Sequence, residues 1–94
     1  MKLISKSELE RLPRFDATLN DRNPMVWAKF FDPWSHWTWY VIEFDGNNLF
    51  YGFVQGFVPE LGYFSLSELE EYSHDRVERD RYFQPCRLNE LREQ

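Results

Sequence analysis

The sequence predicts an α+β fold, in which a small antiparallel sheet of three to five strands has short helices packed on it. Three observations predict it. Two β-rich runs, 37–44 and 49–55, are joined by Asp-Gly-Asn-Asn, which is typical of a hairpin turn. Serine–glutamate capping patterns precede short apolar segments on either side of this hairpin. Aromatic residues make up 19% of the chain, so one domain over residues 1–94 can build a core without disulfides or metals.

The first helix is predicted at about residues 5–12. Ser5 and Ser7 each precede a glutamate by three residues, which is the capping-box pattern. Pro13 ends the segment, because proline cannot continue a helix interior. Residues 13–24 contain two prolines and several turn-forming residues, which indicates a connection.

The β-rich centre predicts consecutive strands. Residues 25–31 (MVWAKFF) form the first, and Asp32-Pro33 ends it. Residues 37–44 (WTWYVIEF) are the strongest strand signal, and large side chains on both faces predict a central strand. The two faces are Trp37, Trp39 and Val41 and, opposite them, Thr38, Tyr40, Ile42 and Phe44.

After the return strand, Pro59 and Gly62 are expected to bracket a tight connection before a short fourth strand at 62–65. A second helix is predicted at 65–73. Ser67 and Glu70 have capping-box spacing there, and Tyr72 extends an apolar stripe.

The C-terminal residues predict two further elements. The alternating charges of residues 77–85 suggest an edge strand, and residues 87–94 suggest a last short helix.

Charge and cysteine content narrow the function classes. The net charge is −5, and residues 23–71 hold one base, Lys29, against seven acids. Because phosphate backbones attract basic side chains, this region favours a basic protein partner over nucleic acid. Cys86 is the only cysteine, and no apolar run is long enough for a signal peptide or a membrane span. We expect a cytoplasmic protein without membrane contact.

Four blocks of the chain carry a resemblance to a known family. They are KFFDPWSHWTWYVIEFDG, LFYGFVQGFVPELGYFSLSELEEY, VERDRYFQP and LNEL. They resemble the bacterial family known as domain of unknown function 2958, over about residues 24–91. The resemblance implies a setting on plasmids, phages or other mobile elements and a family without an agreed activity. It carries no catalytic residues onto this chain.

Metal and enzyme chemistry have little support in the sequence. The candidate ligands His36, His74, Asp32, Asp75 and Cys86 include no closely spaced pair of the kind that zinc sites use. Cys86 and His74 could in principle pair as nucleophile and base, but Cys86 sits between Pro85 and Arg87 in an irregular tail, where an inert cysteine is expected. No glycine-rich phosphate loop is present. We therefore expect no metal, no cofactor and no enzymatic activity.

Protein recognition is the function that the sequence favours. Trp34 and His36 follow Pro33 in a loop and are expected to be exposed. Glu68 and Glu71, with Glu60 before them, predict an acidic binding surface, although an ordinary solvated helix face is an equal alternative. The other large aromatics are expected in the core: Trp27, Trp37, Trp39, Phe50 and Phe53.

The partner class remains open between two hypotheses. The first is a basic protein, such as a host factor that handles nucleic acid or serves in defence. The alternative is single-stranded nucleic acid, stacked on sheet aromatics beside arginines near the termini. Those arginines are Arg11, Arg14, Arg22, Arg76, Arg79 and Arg81. The sequence identifies neither the partner nor the oligomeric state.

Overall fold

The computed structural model describes residues 3–72 and 76–92, and within these ranges it confirms the α+β class. The helices are α1 (Lys6–Arg11), α2 (Leu66–Tyr72) and α3 (Leu88–Arg92). The strands are β1 (Met25–Val26), β2 (Ala28–Phe31), β3 (Thr38–Phe44), β4 (Leu49–Gln55), β5 (Pro59–Ser65), β6 (Glu78–Arg79) and β7 (Cys86–Arg87). Strands β5-β4-β3-β2-β6 form one antiparallel sheet in that order, and β1 pairs with β7.

The predicted hairpin is confirmed, because β3 and β4 pair antiparallel around the turn that begins at Asp45. Gly46 has a φ of 92°, a conformation that glycine adopts without steric cost. The Asp45 side chain accepts hydrogen bonds from the backbone N–H groups of Asn47, Asn48 and Leu49 at 2.8–3.0 Å. Local turn chemistry therefore sets the register of the central strands.

Both faces of the sheet are covered, as the two-sided strand predicted. We call the side that carries Trp39 and Val41 the first face, which packs against α1 and α2. The side that carries Tyr40 and Ile42 is the second face, which packs against α3. A β-bulge between Val41 and Glu43 shifts the alternation by one residue. Phe44 therefore lies on the first face, and the prediction that placed it with Tyr40 was wrong.

The predicted strand 25–31 is divided between two sheets. Met25 and Val26 pair with β7, whereas residues from Ala28 onward pair with β3. Trp27 lies at the switch, where its N–H donates to the Val41 carbonyl at 2.9 Å. Its side chain is 40% exposed, so the prediction that Trp27 is a core residue was wrong.

The first helix begins with the predicted capping box. The Ser5 hydroxyl accepts from the Glu8 N–H at 3.2 Å, and the Ser5 N–H donates to the Glu8 carboxylate at 3.3 Å. At its end the carbonyl of Pro13 accepts from the Phe44 N–H at 2.8 Å, which ties the chain after α1 to the sheet.

The second helix begins earlier than its sequence pattern predicts. The Ser65 hydroxyl accepts from the Glu68 N–H at 3.0 Å, so the prediction of a Ser67–Glu70 capping box was wrong. Strand β5 runs directly into α2, which puts Ser67 inside the first helical turn. The Glu70 carboxylate instead accepts from the Leu3 N–H at 3.1 Å. The Tyr72 side chain and residue 73 of the predicted helix lie outside the described residues.

The C-terminal half corrects three boundaries. Pro59 begins β5 and Gly62 lies within it, so the tight connection is at 56–58 instead. The predicted edge strand at 77–85 is only the two residues of β6. The last helix, α3, ends at Arg92 within the predicted 87–94, whose final two residues are outside the description. No helix among the described residues is long and apolar enough to cross a membrane.

Candidate functional site

An open cavity of about 230 Å³ lies on the first face, between the start of β3 and the junction of β5 with α2. We call it the tryptophan cavity. It is lined by Trp37, Trp39, Phe64, Ser65, Glu68 and Leu69. The rings of Trp37 and Trp39 are stacked, with centroids 6.0 Å apart and planes inclined by 28°. The walls are mainly apolar, and a single carboxylate, Glu68, and a single hydroxyl, Ser65, supply the polar groups.

The rim of the cavity extends its apolar surface into solvent. The Trp37 ring lies against Gly56, where a Cβ atom would meet the ring at 2.4 Å. Phe57 contacts the Trp37 ring edge-on, with centroids 5.4 Å apart, and is 94% exposed. Val58 next to it is also exposed. Contiguous exposed apolar surface of this kind marks interaction sites on folded proteins.

Trp34 and His36 occupy the loop between β2 and β3 and are both exposed, Trp34 by 80%. The Asp32 N–H donates to the Trp37 carbonyl at 3.0 Å and closes the loop. The Asp32 carboxylate accepts from the Trp34 N–H at 2.9 Å and from the Arg76 guanidinium at 2.8 Å. The loop that presents Trp34 is therefore held by a buried carboxylate.

Burial raises the pKa of Asp32, but hydrogen bonds from Arg76, Trp34 and Ser35 and the Arg76 charge outweigh it. The pKa of Asp32 is consequently lower than its ordinary value of 3.8. Because the pKa is lowered by folding, the ionised carboxylate stabilises the fold above that value. This contribution is lost as the pH falls through the folded-state pKa.

We expect Asp32→Asn to lower the urea midpoint at neutral pH, since the amide forms no ion pair with Arg76. The difference from wild type should shrink as the pH is lowered from neutral through 3.8 toward the lowered folded-state pKa of Asp32. Urea unfolding of both proteins across this pH range measures it. The pH effects of all other carboxylates are the same in both proteins, so they cancel in the difference between the two stabilities. A difference that does not change with pH would contradict this role for Asp32.

The three predicted acidic site residues lie around the same face. Glu68 lines the tryptophan cavity, and Glu71 is exposed one turn further along α2. Glu60 is opposite Val54, which is opposite Trp39, so the cross-strand register puts Glu60 on the first face. No ion pair joins any of these three carboxylates to another residue in the described part of the chain. His36 is exposed and likewise forms no hydrogen bond within that part.

Sequence reasoning assigned no role to Glu43, which it counted among the seven acids of residues 23–71. The bulge turns Glu43 to the second face, where it is buried. Its carboxylate accepts from the N–H groups of Asp16 and Thr18 at 3.2 and 2.8 Å, and from the Thr18 hydroxyl. Glu43 thus fastens the 13–24 connection to the sheet. The sequence did contain one signal of this role, since Glu43 is the one charged residue in the otherwise apolar or uncharged strand at 37–44. An open cavity of about 440 Å³ beside it forms where this connection meets the sheet.

The described residues also bear on the metal and nucleophile candidates. Within 3–72 and 76–92, no three His, Cys, Asp or Glu side chains are grouped closely enough to hold a metal ion. His74 and Asp75 lie outside those ranges. Burial, together with the nearby Glu90 carboxylate, raises the pKa of the Cys86 thiol. An activated cysteine needs the opposite shift.

Comparison with known proteins gives one match. A family model described as "Protein of unknown function (DUF2958)" matches residues 3–90. No curated protein and no solved structure matches the chain. The family match begins well before the blocks at about 24–91 and therefore includes α1, which packs on the first face.

Proposed function

The chain belongs to the DUF2958 family, whose description assigns no activity, and from its own surface we propose a non-catalytic protein that recognises a basic protein partner. The observation that carries this proposal is the tryptophan cavity, an apolar hollow with one carboxylate in its wall and exposed aromatics at its rim. Where a mobile element carries such a protein, a host factor that handles nucleic acid would offer the basic surface.

The shape of the cavity suits a single anchoring side chain. Large aromatic residues dominate interface hot spots, because they bury much surface for little loss of conformational freedom. An arginine or lysine of the partner could lay its methylene stem along Trp37 and Phe64 and reach Glu68 with its charge. Exposed Phe57 and Trp34 would then contact the partner beside this anchor.

The charge distribution supports a basic partner. Glu60, Glu68 and Glu71 lie on or beside the first face and form no ion pair with another described residue. Lys29, the one base in residues 23–71, pairs with Asp80 at 3.5 Å on the far side of the sheet. The uncompensated charge therefore lies beside the tryptophan cavity. Complementary charges speed association and suppress wrong partners.

Single-stranded nucleic acid is the alternative, and two features weigh against it. Trp39, Tyr40 and Phe53 are buried, whereas base stacking needs exposed rings. Arg76 and Arg79 pair with the carboxylates of Asp32 and Glu8. Two of the six arginines named for this alternative are therefore already engaged by carboxylates of the fold, whereas strand binding uses cations that are available to phosphates.

We expect the double substitution Glu68→Lys and Glu71→Lys to keep the fold and to weaken binding to a basic partner recovered from the native host. The fold should lose only about 0.3–1 kcal/mol, because Glu68 lies in the first turn of α2 and favours the helix dipole. Association should slow most at low salt. Stopped-flow or biosensor kinetics across a salt series measure the effect.

Glu10→Lys, compared with the single substitution Glu68→Lys, is the control of equal charge change, since Glu10 is exposed on α1, whose Glu8 pairs with Arg79 on the β6 side of the sheet. It changes the net charge without touching the tryptophan cavity. If Glu10→Lys slows association as much, the effect would come from the net charge of the protein and not from carboxylates at the tryptophan cavity. Tight, salt-sensitive binding of wild type to single-stranded DNA, strengthened by the double reversal, would instead support the nucleic-acid alternative.

A further inference from the structure

The two edges of the five-stranded sheet differ sharply. At one edge, β6 is only two residues long. At the other, β5 runs for seven residues, about 24 Å at the usual rise per residue. All seven of its residues pair with β4 in an unbroken register. Short strands and bulges are two of the devices that protect sheet edges, and β5 has neither; its proline and its one charged residue, Pro59 and Glu60, stand at its first two positions.

The hydrogen-bond pattern shows which groups β5 turns outward. The Leu66 N–H donates to the Asn48 carbonyl at 2.8 Å, one position beyond the Leu49–Ser65 pair. Because backbone direction alternates along an antiparallel strand, Phe64, Gly62 and Glu60 turn their N–H and C=O groups toward β4. Leu61 and Tyr63 therefore turn theirs to the outside. Neither of these outward N–H groups donates to another residue within 3–72 and 76–92.

The same alternation places an opening beside the tryptophan cavity. Glu60, Gly62 and Phe64 are on the first face, and Phe64 lines the cavity. A Cβ atom at Gly62 would meet nothing within 4 Å, so the space above it is empty. A strand added outside β5 would set alternate side chains on this face, between Glu60 and Phe64.

We propose that β5 is a strand-addition site, at which the partner binds as an extended basic segment that becomes a sixth strand of the sheet. The inference rests on the proposed function and specifies the form in which the basic partner is recognised. The backbone of the segment exchanges hydrogen bonds with Leu61 and Tyr63, and a basic side chain opposite Glu60 lies on the first face toward Glu68.

Charge favours this occupant over a second copy of the chain. Two β5 strands paired antiparallel about Gly62 would join chains that each carry a net charge of −5. They would also set each Glu60 against an apolar Phe64. A basic segment instead brings positive side chains that can pair with the carboxylates of Glu60 and Glu68. Pro59 has no N–H and marks the end at which pairing must stop.

The test selects ligands from a phage-displayed library of random peptides of about twelve residues, long enough to span β5. We expect enriched peptides to alternate basic and other residues and to lack internal proline. Leu61→Pro removes one outward donor while leaving the hydrogen bonds to β4, and Leu61→Ala is its matched control. Affinity should fall about tenfold or more with proline relative to alanine. In wild type, bound peptide should slow amide hydrogen exchange at Leu61 and Tyr63.

The outcomes separate this inference from the proposed function. Peptides that are weakened by Glu68→Lys but leave the exchange of Leu61 and Tyr63 unchanged would overturn strand addition and keep acidic recognition. If peptides protect these amides but bind Glu60→Lys and Glu68→Lys as tightly as wild type, strand addition would stand and the proposal of a basic partner would be refuted. A dimer in sedimentation that Leu61→Pro dissociates would assign the edge to a second copy. Failure to enrich any extended peptide would also overturn the inference. The exchange measurement needs no variant, so misfolding of Leu61→Pro cannot obscure the result.

Discussion

Gly52→Ala is expected to destabilise the fold by about 3 kcal/mol or more, because the added methyl group has no space. A Cβ atom at Gly52 would lie 1.8 Å from the backbone oxygen of Tyr40 and 3.2 Å from the Phe64 ring. The oxygen belongs to the central strand, so the strand itself would have to move. For a domain with about 5–15 kcal/mol of total stability, this is a large share. Chemical denaturation followed by tryptophan fluorescence measures it.

Gly62→Ala is the control, since Gly62 is the cross-strand neighbour of Gly52 and its Cβ position is open. Neither glycine has a positive φ, so the backbone admits alanine at both. At Gly62 the substitution should be neutral or stabilise by up to about 1 kcal/mol, because glycine is costly within a strand. Equal effects at both positions would refute the close approach of β3 to β4 at Gly52.

Trp39→Ala should lower the free energy of unfolding by about 3–5 kcal/mol, the usual cost of truncating a large buried aromatic. Trp39 is 7% exposed, lies in the first-face core with Phe30 and Val41, and stacks on Trp37. The vacated volume cannot collapse easily, because the sheet beneath it is paired on both sides. Urea midpoints, with the slope compared to wild type, report the change.

Trp34→Ala is the matched control, because the same side chain is removed from a position that is 80% exposed. Its effect on stability should stay within about 0.5 kcal/mol. It should also weaken partner binding, if Trp34 touches the partner. If Trp39→Ala leaves the urea midpoint almost unchanged, Trp39 would face solvent, and its place in the core of the first face would be refuted.

Sequence reasoning located the candidate site only in part. Exposure of Trp34 followed from its place after a proline that ends a strand, and the acidic helix followed from its spacing. Nothing local indicated that Glu68 would face Trp37 and Trp39, which are some thirty positions away in the chain. The apolar rim at Phe57 was missed, because an aromatic in an aromatic-rich sequence is most simply interpreted as core.

The sequence by itself determined those features whose cause is local. The hairpin depends on Asp45 and Gly46, and α1 depends on the Ser5 capping box; each needs only a few neighbouring residues. The central position of β3 followed from large side chains on both its faces. These patterns act within a few positions of the chain, so the sequence displays them directly.

Tertiary structure decided the features that depend on competition between distant segments. The bulge after Val41 reversed the faces of Glu43 and Phe44, because the buried carboxylate satisfies N–H groups of a connection some 25 residues earlier. Trp27 is exposed at the point where the strand changes sheets, because Met25 and Val26 before it pair with β7 and the residues after it pair with β3. The open edge of β5 exists because no other described segment pairs there. Long-range hydrogen bonds and packing override local propensity in such places, since a strand is stable only with the neighbours it finds.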